Sequence, residues 1–301
     1  MVMESRGGAT KEANSITKKL MIIGAGGQVG LEFVRLLKGS SHQVFSYTRE
    51  DLDITDYEKV SNLLNHVRPD VIVNCAAFTS VDEAEREQDR AFQINAHATK
   101  WLAEETRRIN ASLVFLSTNY VFNGEADLPY SEDDREDPIN AYGRSKLAGE
   151  EFVRQTLNNY FIIRTSWVYG WSGQNYFLNF LDATETKETI GVVDVQISSP
   201  TYTEDLVHIV MKLVETDQFG TYHVTNRGSC SRYEFAKAIL DIGAISSKLE
   251  KIAPDYQMAS RPAYSVLKHK RLNQAGMTPR HWKEALVACM TVESEDHDGE
   301  F

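Results

Sequence analysis

The chain is poor in cysteine: Cys75, Cys230 and Cys289 are scattered through 301 residues without metal-ligand spacing. Cys75 sits in the apolar run Val71-Ile72-Val73-Asn74-Cys75-Ala76-Ala77, where a thiol reads first as a small buried hydrophobe. This usage fits a reducing cytoplasm. No apolar run approaches the length of a membrane span. Met1 to Lys19 is polar and lacks a hydrophobic core, so it does not read as a secretory signal. Positive charge is also short: 32 Lys and Arg stand against 43 Asp and Glu, a net charge of −11. Binding a nucleic-acid backbone needs clustered cations, so the balance argues against that role, while leaving room for a basic pocket that holds one nucleotide. No internal repeat is present.

The bulk of the chain has an ordinary globular composition, 42% hydrophobic and 25% charged. Its length allows one large α/β domain with an appended lobe, or two small domains. Residues 1–18 read as a disordered extension. From Lys19 onward, β-branched runs alternate with helix-period segments. Leu20–Ile23, Val44–Tyr47, Val71–Ala77, Leu113–Ser117 and Phe161–Thr165 read as buried parallel strands. Ala91, Ile94, Ala98, Trp101 and Leu102 mark one of the intervening helices. Strand–helix alternation predicts an α/β fold with a doubly wound parallel sheet of the Rossmann type, over 19–170. After Gly170 the rhythm loosens. Residues 171–290 read mainly as a smaller C-terminal substrate-binding lobe over the carboxyl ends of the sheet, with segments returning to the first domain. Residues 291–301 read as an acidic tail.

Gly24-Ala25-Gly26-Gly27-Gln28-Val29-Gly30 follows the first strand and precedes a helical run. Glycines here allow a tight turn, close approach of backbone to a pyrophosphate, and close helix–strand packing. The helix start then offers N–H groups to the phosphates. The second strand ends at Tyr47-Thr48-Arg49-Glu50-Asp51. An acid there grips the ribose of NAD and an arginine accommodates the extra phosphate of NADP, so both NADPH and NADH stay open. Asp53 is a candidate acceptor for the adenine amino group, with Thr55 or Asp56 as a helix cap beside it. Further on, Tyr142-Gly-Arg-Ser-Lys146 places a phenol and an ammonium on one helix face, and Thr118 ends the fourth strand. A positive charge beside a phenol lowers its pKa, and the set can pass a proton to an alcohol oxygen.

These motifs in this order resemble the extended short-chain dehydrogenase/reductases, and within them the dTDP-4-dehydrorhamnose reductase family. The resemblance covers most of 19–290. It rests on Gly-Gly-Gln-Val-Gly at 26–30, Arg-Pro-Asp-Val-Ile-Val-Asn-Cys-Ala-Ala-Phe-Thr-Ser-Val-Asp at 68–82, and Ser-Thr-Asn-Tyr-Val-Phe-Asn-Gly at 117–124. Tyr-Gly-Arg-Ser-Lys-Leu-Ala-Gly-Glu at 142–150, Arg-Thr-Ser-Trp-Val-Tyr-Gly at 164–170, Ser-Pro-Thr at 199–201, Gly-Thr-Tyr-His-Val at 220–224 and Arg261-Pro262 add to it. It implies reduction of the C4 ketone of dTDP-4-dehydro-L-rhamnose to dTDP-L-rhamnose. It implies that Tyr142 donates the proton, Lys146 lowers the tyrosine pKa and holds the nicotinamide ribose, and Thr118 bonds the developing oxyanion. The cofactor is expected against Gly24, Gly27, Gln28, Val29, Gly30, Arg49, Asp53, Ile54, Cys75, Ala76, Ala77, Tyr142 and Lys146. The sugar is expected against Thr79, Val81, Asn119, Trp167 and Arg261.

The chain departs from the family's pattern at three places. Asn119 and Asn123 stand where aspartates are usual, and Val195-Gln196-Ile197-Ser198-Ser199-Pro200-Thr201 replaces Asp-Gln-x-Gly-x-Pro-Thr. Asparagine keeps the shape of aspartate but removes its charge and adds donors, so the sugar is the open question. Some members of the family bind Mg2+ at a dimer contact. Glu32 matches one such position but reads better as a helix glutamate, so no metal is predicted, and the expected state is monomer or homodimer. Two other readings share these motifs: a reductase or epimerase of another nucleotide-linked 4-keto sugar, and a non-catalytic regulatory subunit built on the same fold.

Overall fold

The computed structural model describes residues 17–254 and 258–296. Most of the expected N-terminal extension and the last residues of the expected acidic tail lie outside the described residues.

The apolar runs form the strands Lys19–Ile23, Gln43–Tyr47, Val71–Asn74, Ser112–Thr118 and Tyr160–Thr165. With Gly220–His223 they build a six-stranded sheet in which every pairing is parallel. Gln43–Tyr47 is one edge, followed by Lys19–Ile23, Val71–Asn74, Ser112–Thr118, Tyr160–Thr165 and Gly220–His223. Both faces are covered, because successive side chains point opposite ways. Leu20 and Ile22 pack with Phe33, Leu206 and Val210, from the helices Gln28–Leu37 and Thr203–Val214. Met21 and Ile23 pack with Leu64, Leu102 and Val153, from the helices Tyr57–Val67, Ala98–Arg108 and Ala141–Thr156.

The third strand ends earlier than its apolar run. Asn74 is buried and its Oδ1 accepts from the Ala76 N–H at 3.1 Å, so that the chain leaves the sheet after Cys75, whose N–H still donates to the Ile23 carbonyl at 2.9 Å. After Thr165 a second core gathers around Tyr169, Phe177, Phe235 and Trp282. It joins the helices Tyr176–Thr186, Arg232–Ile242 and Trp282–Asp296. The last of these continues into the stretch that reads as an acidic tail. Among the described residues, no helix is long and apolar enough to cross a membrane.

The arrangement fixes where a ligand sits. The chain leaves Lys19–Ile23 for Gln43–Tyr47 on one side, and Val71–Asn74 lies on the other. Strand order reverses there, which opens a crevice at the carboxyl ends of the first and third strands.

Candidate active site

The crevice is a cavity of about 840 Å³. Gly24, Gly27, Arg49, Asp53, Ile54, Cys75, Ala76 and Ala77 all line it. Two glycines shape its floor. Gly24 has φ +79°, and a Cβ there would lie 2.6 Å from the Ala76 nitrogen. A Cβ on Gly30 would lie 2.2 Å from the Gly24 carbonyl oxygen. Any larger residue at either position pushes helix and strand apart, and the loop then loses its cradle. The surviving shape, backbone donors at the start of Gln28–Leu37 beside a roomy cleft, fits a dinucleotide. Gln28, Val29 and Gly30 form the first turn behind the cavity; Val29 packs into the core, and Gln28 lies beneath Gly173.

The rim beyond the second strand holds mixed charge. Thr48 donates to Asp51 through both N–H and hydroxyl, at 2.9 and 2.7 Å, and these bonds lower the Asp51 pKa. Asp53 is held low in the same way by Thr55, at 2.7 and 2.9 Å. Asp56 caps the helix Tyr57–Val67 through the Lys59 N–H. Arg49 and Glu50 are exposed on the cavity wall.

Thr118, Tyr142 and Lys146 stand next to this crevice. Asn140 caps the helix Ala141–Thr156, and Tyr142 and Lys146 lie one turn apart on it. Burial pushes the Tyr142 phenol up to about 12, while Thr118 opposes that shift. The phenol is therefore protonated at neutral pH, as an acid must be. The expected downward pull from Lys146 is not what governs it. Lys146 is itself buried and drawn down to about 7, mainly by burial, with Glu150 and then Cys75 acting the other way. Its Nζ lies 4.0 Å from the centre of the Phe115 ring. A half-discharged amine cannot strongly acidify a neighbour. Cys75 lines the cavity and also acts on Lys146, so cofactor crevice and lysine adjoin.

Residues that pattern reasoning passed over hold this set in place. Asn95 lies in a π-helical turn, Gln93–His97, between two α-helical stretches. It bonds both the N–H and the carbonyl of Phe78, at 2.8 and 3.0 Å, and donates to Ser145 Oγ at 2.9 Å. Ser145 in turn donates to the Tyr142 carbonyl. Glu150 is completely buried and paired with buried Arg164 at 2.6 Å and with Arg154 at 2.9 Å. Ser117 donates to Glu150, tying the strand end beside Thr118 to the helix of Tyr142. A polar residue inside an apolar helical run was the sequence signal for Asn95, and the arginine embedded in the fifth strand was the signal for Arg164.

The expected sugar-side residues divide. Thr79 is exposed and Val81 half-buried, at the start of the helix Val81–Arg86. Trp167 has φ +43°, an uncommon backbone state for a bulky residue, and its ring stacks on Arg232. Tyr120 packs edge-on to Tyr142, with ring centres 6.1 Å apart. Asn119 is 2% exposed and its amide donates to Ser265 Oγ at 2.7 Å and Ser198 Oγ at 3.1 Å. Its donors join three segments of chain instead of reaching into the cleft. Arg261 grips Asp82 with two bonds, at 2.9 and 2.7 Å. Glu32 is buried and taken up by Arg35, which also reaches Glu204 at 2.6 Å. No group of three or more His, Cys, Asp or Glu side chains suited to a metal occurs among the described residues.

The RmlD substrate binding domain family matches residues 18–294. The spore coat polysaccharide biosynthesis protein SpsK of Bacillus subtilis is 46% identical over 270 residues, covering 89% of this chain and 95% of the relative. A dTDP-4-keto-6-deoxy-D-glucose reductase of Streptomyces niveus is 37% identical over 286 residues, covering 93% and 99%. The crystal structure of dTDP-4-dehydrorhamnose reductase from Bacillus anthracis, in complex with NADP, superposes with a TM-score of 0.90 at 38% identity, over 92% of this chain and 99% of that one. With this match in sequence and structure over nearly its whole length, the chain belongs to the RmlD substrate binding domain family.

Proposed function

We infer that this protein reduces the C4 ketone of dTDP-4-dehydro-L-rhamnose to the alcohol of dTDP-L-rhamnose, with NADPH or NADH as reductant. The observation that carries the reading is the placement of Thr118, Tyr142 and Lys146 against a crevice whose glycine loop fits a dinucleotide. The nicotinamide, when bound, supplies hydride to the carbonyl carbon. The chain supplies the rest. Tyr142, protonated at neutral pH, gives its proton to the carbonyl oxygen. Thr118 bonds that oxygen as negative charge develops on it. Lys146 holds the nicotinamide ribose and helps refill the phenol. Gly24, Gly27, Asp53, Ile54, Cys75, Ala76 and Ala77 hold the cofactor, with Arg49 at the 2′ position of its ribose. Thr79, Val81 and Trp167 bound the sugar pocket.

The division of labour follows the chain. Residues 19–170 carry the cofactor and 171–290 mainly the substrate, with Gly220–His223 returning to the sheet. The enzyme works in the cytoplasm as a monomer or homodimer, a setting compatible with the lack of any disulfide among its described residues. Incubation with dTDP-4-dehydro-L-rhamnose and NADPH, with the product read by mass and NMR, tests the reading. Stoichiometric NADPH consumption with formation of dTDP-L-rhamnose is expected. Turnover without net NADPH consumption would make it an epimerase. The name of the Streptomyces niveus relative makes dTDP-4-keto-6-deoxy-D-glucose the second sugar to supply.

A further inference from the structure

Arg232 opens the helix Arg232–Ile242 and lies deep among other side chains while keeping some contact with solvent. Its guanidinium carbon is 3.7 Å from the centre of the Trp167 ring and 4.8 Å from that of Tyr176. Tyr120, Tyr176, Cys230 and Arg261 are the side chains that act on its charge most, and among the described residues no carboxylate lies within ion-pair distance of it. Three other arginines that are wholly or partly buried differ. Arg164 holds Glu150, Arg261 holds Asp82 and Arg280 holds Asp205. Burial draws Arg232 below the ordinary arginine value, in keeping with a guanidinium that has no ion-pair partner among the described residues.

Two aromatic rings lie against the guanidinium carbon. Stacking of this kind uses none of its five N–H donors, which stay at the edge in a fork that matches a phosphate. The unusual φ of +43° at Trp167 is the backbone state that sets one of these faces. Arg232 is also placed at a useful distance from the chemistry. Tyr120 interacts with Arg232 on one side and packs edge-on to Tyr142 on the other. In a nucleotide-linked 4-keto sugar, C4 and the anomeric carbon face each other across the ring. A proton donor at C4 therefore puts the diphosphate on the far side of the ring, and Tyr120 stands between the two places, packed on Tyr142 and acting on Arg232.

We propose that Arg232, clamped between Trp167 and Tyr176, receives the diphosphate of the nucleotide sugar and sets the depth of the sugar against Tyr142. This rests on the reading of the substrate as a nucleoside-diphosphate sugar. The residue that aligns with the family's arginine–proline pair, Arg261, is engaged with Asp82, so Arg232 is the cation available for this task.

The test uses thymidine 5′-diphosphate as probe, with affinity measured by calorimetry on the full chain. Arg232→Gln is expected to weaken it about tenfold to a hundredfold, the loss of one or two charged hydrogen bonds, with NADPH affinity unchanged. Unchanged diphosphate affinity in a variant that still binds NADPH overturns the proposal. Where the variant does not fold, the wild type decides. Phenylglyoxal modification of Arg232, followed by peptide mass mapping, must slow in the presence of the diphosphate; equal rates overturn the role. The two readings fail separately: a wild type that ignores the diphosphate ends the nucleotide-sugar assignment, whereas normal wild-type binding with an indifferent variant removes only Arg232.

Discussion

Two buried cations flank Glu150, and the protein treats them in opposite ways. Arg164 meets Glu150 and Glu136 directly; although burial opposes its charge, these carboxylates outweigh it and push its pKa up. Lys146 stands one helical turn before Glu150, meets the Phe115 ring, and falls to about 7. The carboxylate is the same. The difference is contact: Glu150 gives its oxygens to Arg164, Arg154 and Ser117, and the lysine feels it only through space. The Arg164 side is thereby a fixed scaffold, and the Lys146 side a titratable site. A permanent charge suits the first task and a group poised near neutrality suits the second.

The largest effect is expected on the titratable side. In the proposed mechanism Tyr142→Phe removes the proton donor and leaves shape and burial almost alone. Turnover should fall about 10²- to 10⁴-fold, while cofactor affinity and stability stay near wild type. Single-turnover rates alongside NADPH titrations check this, and a wild-type-like rate would remove Tyr142 from the mechanism. Glu150→Ala is the matching change on the scaffold side. It leaves Arg164 buried with its main partner gone, a loss of about 3–5 kcal/mol. Urea unfolding measures it. If Glu150→Ala cost less than about 1 kcal/mol, the scaffold account would be wrong.

The third expectation separates the two cations by pH. Lys146 has a folded-state pKa of about 7 against an ordinary value of 10.5. Below pH 7 both folded and unfolded chains carry the proton, and folding bears the whole cost of burying it. Between these two values the unfolded chain binds more protons, so the contribution of this residue to stability rises with pH. Lys146→Met should lack that rise, measured without cofactor as the difference between the two unfolding curves across the window. Parallel curves would mean that the lysine is not discharged by burial. Arg164 has no counterpart to this behaviour, since its pKa moves away from the accessible range.

The sheet was legible because both its faces are buried, which leaves continuous β-branched runs such as Val71-Ile72-Val73. Tyr142 and Lys146 were legible because helical spacing alone puts them together. Less legible were effects that depend on what packs from elsewhere. Nothing near Tyr142 in sequence announces its burial, and so its raised pKa. Asn119 follows Thr118 and read as a sugar contact, but Ser198 and Ser265, brought in from distant segments, absorb its amide. Its expected behaviour changes accordingly. Asn119→Asp puts a carboxylate close to the Ser265 carbonyl, 3.4 Å from the present amide nitrogen. Two buried acceptors then face each other, and stability should fall by about 1–3 kcal/mol with little change in sugar preference. Thermal unfolding together with kcat/KM on several dTDP-4-keto sugars decides between the structural and the substrate-reading roles.

The smallest effect carries the comparison to a cation in water. Arg49 is exposed on the cavity wall, and among the described residues no carboxylate pairs with it within ion-pair distance. Solvent screens its charge, and Glu50 beside it offsets part of the local field. A contact with the 2′-phosphate of NADPH made from there resembles an exposed ion pair. Arg49→Ala should then weaken NADPH by only about two- to fivefold and leave NADH unchanged. Added salt should shrink the NADPH effect further, which no change to Lys146 or Arg164 would do, because protein and not solvent surrounds those two. Titrations of both cofactors at low and high ionic strength test the point. Equal losses for NADH and NADPH, or a loss that salt does not touch, would take Arg49 off the phosphate and leave the choice of cofactor to the backbone of the glycine loop.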